Sequence, residues 1–145
     1  MKREQRLRPL HDLAGHNERN CALRLAECEQ RIAAGEQRYQ ELLRYRLEYQ
    51  QLFHVRASGG APMRGLREQQ VFIARLGEAV RAQRVLLEQL RAESAAVLAQ
   101  WRDAATRKQA VGKVIERALT EEIMSQEKRQ QRELDELANQ PRMRR

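Results

Sequence analysis

The sequence predicts an all-α fold in which two long helices form an antiparallel coiled-coil hairpin, the second helix being longer and projecting at its C-terminal end. Three observations predict it. Apolar and small residues recur at alternating steps of three and four along two extended stretches, good helix formers fill the positions between, and one Gly- and Pro-rich cluster separates the stretches. Composition points the same way. Of 145 residues, 33% are charged and only 4% aromatic, and much of the 41% hydrophobic fraction is alanine, the bias of a coiled coil rather than of a globular core. The reading is a single coiled-coil hairpin over 1–145, with a helix at about 5–55, a loop at about 57–65, a helix at about 66–138 and a basic tail at 141–145.

In the first helix the stripe runs from Leu10 through Ala14, Asn17, Cys21, Leu25, Cys28, Ile32, Gly35, Tyr39 and Leu42 to Tyr45, Tyr49 and Phe53. Pro9 suits a first turn, where its missing N–H has no intrahelical partner to lose. Irregular steps near Leu25 and Tyr45 break the strict seven and should relax the supercoil there. Asn17 is placed to set the register as a polar seam residue. Gly35 removes a side chain from the seam and permits close approach, at about 1 kcal/mol of helix propensity relative to Ala. Cys21 and Cys28 are about 10 Å apart along a helix, too far for an intrahelical disulfide, and read as small buried residues.

The cluster Ala57-Ser58-Gly59-Gly60-Ala61-Pro62-Met63-Arg64-Gly65 continues neither helix, and so short a connection folds the helices back on each other. Counting outward from it in equal steps places Leu52 near Glu68, Leu10 near Ala110 and Gln5 near Ile115.

The second helix carries the cleanest pattern. Ile73, Val80, Leu87, Ser94, Trp101, Lys108 and Ile115 recur at sevens, interleaved with Leu76, Gln83, Leu90, Val97, Ala104, Val111 and Ala118. The repeat fails after Ala118, where equal-step counting also exhausts the first helix. Beyond it an unpaired segment bearing Ile123, Met124, Leu134 and Leu137 is expected, ending at Asn139, Gln140 and Pro141.

Formal net charge is +8 and the pI about 10.3, which suits an acidic partner. Glu residues interrupt nearly every basic stretch, however, so the concentrated basic face of a nucleic-acid binder is missing and no specific nucleic acid is expected. No apolar run is long enough to span a bilayer, and Met1-Lys2-Arg3 leads into polar sequence, so a cytoplasmic protein is expected. There is no phosphate loop and no Cys or His ligand cluster. His11 and His16 are five apart, off the spacing of a helical metal pair, and His54 stands alone. An open rod offers carboxylates no pocket, so neither catalysis, metal nor cofactor is expected.

The aromatic residues are unevenly placed. Tyr39, Tyr45, Tyr49, Phe53 and Phe72 all lie toward the loop. Tyr45 and Tyr49 on one helix, with Phe72 and Ala79 flanking the seam positions Leu76 and Gln83 on the other, form a row along one edge of the stripe, suited to a protein-binding hot spot. On the projecting segment, Arg117, Glu121, Glu122 and Lys128 are the charged residues expected to meet a partner there.

Leu42, Tyr45 and Glu48-Tyr49 before the loop, Gln69-Gln70-Val71-Phe72-Ile73 after it, Leu76, Ala79, Trp101-Arg102, and the late Glu127-Lys128 with Leu134-Asp135-Glu136-Leu137-Ala138 together resemble the flagellar export protein FliJ family, over nearly the whole chain. The resemblance implies a non-enzymatic stalk similar to the central stalk of rotary ATP synthases. Such a stalk inserts the end carrying both termini into the hexameric flagellar export ATPase, promotes its assembly and activity, and binds export chaperones. The resemblance also implies binding to the transmembrane export gate protein FlhA through Leu42, Tyr45, Tyr49, Phe72, Leu76, Ala79 and Gln83. Location would be cytoplasmic, peripherally associated with the inner membrane at the flagellar base through partners. Arg38 and Gln83 depart from the family pattern, in which Gln and His are common. The stalk of a virulence type III secretion system, a basic coiled coil that binds nucleic acid and a purely architectural coiled-coil dimer are the competing readings.

Overall fold

The structure, a computed structural model, describes residues 2–141; the end of the expected basic tail, 142–145, lies outside the described residues. Two helices account for nearly all of it: α1, Arg3–Ser58, and α2, Met63–Asn139, packed as an antiparallel hairpin. Glu4 in the first turn of α1 and Arg56 in its last complement the helix dipole. Because α1 begins at Arg3, Pro9 falls beyond the first turn and inside the helix, where it withholds the N–H that the Gln5 carbonyl would otherwise accept.

The connection is shorter than the sequence reading, only residues 59–62. Gly60 takes a left-handed conformation with φ of 78°. The Ala61 N–H donates to the Arg56 carbonyl at 3.1 Å and the Gly60 N–H to the Ala57 carbonyl at 3.5 Å, the paired bonds of a Schellman cap. Pro62 then opens α2, its carbonyl accepting from the Leu66 N–H at 3.2 Å. A capped stop followed at once by a proline start consumes the flanking residues of the cluster into helix, which is why the breaker composition overstated the loop.

All fourteen heptad positions expected on α2 are buried or half-buried, with Val80, Leu87, Val97 and Ala118 in the core. On α1 the structure corrects the stripe. Leu10, Asn17, Tyr45 and Tyr49 are exposed, and the inward positions are instead Leu7, His11, Ala14, Glu18, Cys21, Leu25, Cys28, Ile32, Gly35, Tyr39, Leu42 and Arg46. These alternate four and three without interruption. The irregular steps near Leu25 and Tyr45 therefore vanish: they arose from placing Leu10, Asn17 and Tyr45 in the seam instead of their neighbours His11, Glu18 and Arg46. Asn17 cannot set the register from the solvent side.

Packing falls into two units, one of Met1–Asn20 with Trp101–Arg145 and one of Cys21–Gln100. In the second, Gln83 is buried and its side-chain Nε2–H donates to the Gly35 carbonyl at 3.1 Å, while Arg91 pairs with Glu36, Arg31 with Glu93 at 3.8 Å, and Arg24 donates to Gln100 Oε1 at 3.0 Å. A Cβ at Gly35 would lie 2.8 Å from Leu87 Cδ2, so the missing side chain is what admits Leu87, 3% exposed, to the seam. In the first unit, Lys2 pairs with Glu122 at 2.5 Å and Arg3 with Glu121 at 3.7 Å, and Gly112 lies against the His11 ring.

These partners revise the counting from the loop. Lys2 and Arg3 meet residues about one helical turn further along α2 than equal steps placed them, because the helices are staggered by the capped turn and equal counting cannot see a stagger. Pairing accordingly continues past Ala118 to Glu122. Beyond it Ile123, Met124, Leu134 and Leu137 are exposed.

Candidate interaction surfaces

The aromatic row lies within the unit that contains the loop. α1 presents Tyr45 and Tyr49 one turn apart, and α2 presents Phe72 and Ala79 seven apart, on positions adjacent to the seam. The Tyr49 and Phe72 rings meet edge to face, with centroids 4.8 Å apart and planes at 69°. They remain 38% and 42% exposed, and Tyr45 is 45% exposed with the Arg44 guanidinium 5.8 Å from its ring centroid. Leu42, Leu76 and Ala79 are half-buried beside them. Gln83 differs from the others: it is buried in the seam with its amide committed to the Gly35 carbonyl, so it is not part of the exposed row. Sequence reasoning missed Leu86, exposed and seven residues after Ala79; continuing the Phe72, Ala79 spacing by one heptad finds it.

What this surface can do follows from its chemistry. Two half-exposed rings locked against each other, an aliphatic floor and a guanidinium at the edge form a rigid anchor of the type that dominates protein interfaces. The rings lose little side-chain freedom on binding because their mutual contact has already restricted them.

The second surface is the C-terminal part of α2, in the other unit. Of the four charged residues singled out there, Glu121 and Glu122 are engaged by Arg3 and Lys2. The Lys2 ammonium is held above the ordinary lysine range, mainly by its hydrogen bond to Glu122 and then by the same carboxylate's charge, with burial opposing weakly. Arg117 lines an open recess with Lys113, Glu116, Thr120 and Glu121, and Lys128 lines the next with Glu121, Met124, Ser125, Arg129 and Arg132. Charges of both signs, Glu121 against Lys128, Arg129 and Arg132, line the latter beside Met124. From 123 to 139 no described residue of α2 is even half-buried, so a helix of four to five turns presents mixed charge and four large apolar side chains with no partner among the described residues.

No helix among the described residues is long and apolar enough to cross a membrane. The family model described as "Flagellar FliJ protein" matches residues 1–145. No curated protein and no solved structure matches the chain.

Proposed function

The chain belongs to the flagellar FliJ protein family, and from that premise we propose that it is a non-enzymatic stalk of the flagellar type III export apparatus. The end carrying the chain termini enters the hexameric export ATPase and promotes its assembly and activity. The aromatic row of Leu42, Tyr45, Tyr49, Phe72, Leu76 and Ala79 binds the export gate protein FlhA, and export chaperones are further partners. The protein works in the cytoplasm and reaches the inner membrane at the flagellar base through these contacts.

The observation that carries the reading is the length of α2 left without a partner among the described residues after Glu122. An isolated helix of this length is marginal in water, and its exposed Ile123, Met124, Leu134 and Leu137 are wasted unless another surface covers them. Mixed charge on the same segment suits a ring lined by polar loops, and of Arg117, Glu121, Glu122 and Lys128 only Arg117 and Lys128 are without an intramolecular ion pair among the described residues. Glu121 and Glu122 act differently, by fastening the start of α1 beside the base of the projecting segment.

The test is ATP hydrolysis by the cognate export ATPase with and without the purified protein, together with electron microscopy of ring formation. Stimulation accompanied by more rings is expected. A protein that binds neither the ATPase nor the gate would be an interaction coiled coil of another system.

A further inference from the structure

Charge along the chain is not evenly interleaved. Between Gln37 and Arg84 nine arginines face four glutamates, and from Tyr49 to Arg67 there is no Asp or Glu at all. That acid-free stretch is the hairpin tip: the last turns of α1, the Schellman cap at Gly60 and the first turn of α2, which contains no acidic residue. Elsewhere acidic residues are interspersed with the arginines, and some of them pair across the helices, as Glu93 does with Arg31 and Glu36 with Arg91. At the tip Arg56 and Arg67 make no ion pair among the described residues, and Arg64, whose side chain is 94% exposed, reaches only Glu68 at 3.9 Å.

The same tip exposes aliphatic side chains. Val55 is 67% and Met63 66% exposed, on opposite sides of the connection, with Leu52 behind them. An apolar point ringed by surplus arginines matches a boundary that is apolar within and negatively charged at its surface. We propose that the hairpin tip docks peripherally on an anionic lipid surface, with Val55 and Met63 entering the headgroup boundary and Arg56, Arg64 and Arg67 contacting lipid phosphates.

Size favours lipid over an acidic protein. Two helix ends, each about 10 Å across, present roughly 200 Å², against about 800 Å² per partner in a stable protein interface. A lipid layer accepts a small footprint, because it closes around the inserted side chains and its charge is laterally continuous. Arginine suits the position, its long stem lying along apolar surface while the guanidinium stays at phosphate level. The association is weak and reversible, as for other anchors that use a few apolar groups and a few charges. It rests on the tip alone and stands whether or not the aromatic row binds an export gate.

The experiment is co-sedimentation of the full chain with vesicles of phosphatidylcholine, alone or containing phosphatidylglycerol. Binding is expected only to the latter and should weaken with salt. Each arginine near an anionic leaflet contributes roughly a fivefold factor, so replacing Arg56, Arg64 and Arg67 together by Gln should lower partitioning roughly a hundredfold. Deleting residues 142–145 should leave most of it. As a second readout with the charges intact, Met63→Trp should be quenched by lipids brominated in their acyl chains, while native Trp101 should not. Equal binding by the triple variant, loss of binding on deleting 142–145, or an unquenched Trp at position 63 would each overturn the proposal. So would failure on anionic vesicles with capture by immobilised polyglutamate, which would assign the tip to an acidic protein.

Discussion

The Trp101 indole N–H donates to the Glu18 carboxylate at 2.9 Å, joining the two helices through a polar contact within the seam. Lys108 Nζ lies 4.0 Å from the other carboxylate oxygen, so one acidic side chain on α1 answers two positions a heptad apart on α2. Glu18→Ala leaves the half-buried indole N–H without its acceptor and should destabilise by about 1–3 kcal/mol. Glu18→Gln, which retains an acceptor, should cost less. Trp101 is the only tryptophan, so denaturant unfolding followed by its fluorescence reads the effect directly. An Ala variant within about 0.5 kcal/mol of the parent would place the seam's strength elsewhere.

This contact also explains what the sequence showed and what it hid. α2 was legible throughout because its seam is mostly apolar and repeats at seven, and even Lys108 and Gln83 were placed inward by the apolar residues on either side. α1 was legible from Cys21 to Leu42 for the same reason. Toward its ends, His11, Glu18 and Arg46 occupy the seam, and a rule that rewards hydrophobicity passed to exposed Leu10 and Tyr45 instead. Glu18 is satisfied only by residues far away in sequence, so no local pattern reveals it. The aromatic row was legible as spacing, but the edge-to-face locking of Tyr49 on Phe72 and the burial of Gln83 depend on how the helices are staggered. The Schellman cap sets that stagger, and composition alone does not.

Two glycines, both buried in the same unit, should respond oppositely to enlargement. At Gly77 a Cβ meets only the mobile ends of Arg81 and Arg46, at 3.6 and 3.9 Å, so Gly77→Ala should gain about 1 kcal/mol of helix propensity. At Gly35 even a Cβ collides with Leu87, and Gly35→Val should cost about 1–3 kcal/mol through overpacking and displacement of the Gln83 amide. Thermal unfolding by circular dichroism checks both. A Gly35→Val protein as stable as the parent would mean that the helices separate there without penalty.

If the Tyr49–Phe72 pair pre-forms the gate-binding anchor, the two residues should be coupled. Tyr49→Ala and Phe72→Ala should each lower gate affinity by more than 1 kcal/mol, and the double variant should fall short of the sum by about 0.5–1.5 kcal/mol. Titration calorimetry with the cytoplasmic part of the gate measures the cycle. Strict additivity would show two independent contacts, and no loss in either single variant would move the gate surface off this row. Leu86→Ala belongs in the same series, since its heptad position extends the row and its exposure leaves the fold indifferent to its removal.

The pairing limit at Glu122 separates fastening from partner binding. Every described residue that truncation after Glu122 removes is exposed, so the remaining hairpin should unfold at nearly the parent temperature. The same truncation should abolish stimulation of the export ATPase. Arg117→Ala with Lys128→Ala should reduce stimulation while leaving stability within about 0.5 kcal/mol, because exposed side chains away from packing contribute little to the fold. Replacing Glu121 and Glu122 by Ala should release Lys2 and Arg3, and hydrogen exchange would record this as faster opening of the first turns of α1, with a modest energetic effect typical of exposed pairs. Pro9 sharpens that expectation, since a helix already lacking one hydrogen bond at its second turn depends more on the pairs before it. Full stimulation by the truncated chain would shift the ATPase contact onto the paired part of the hairpin, while a large drop in its unfolding temperature would mean that the segment after Glu122 packs against the chain itself.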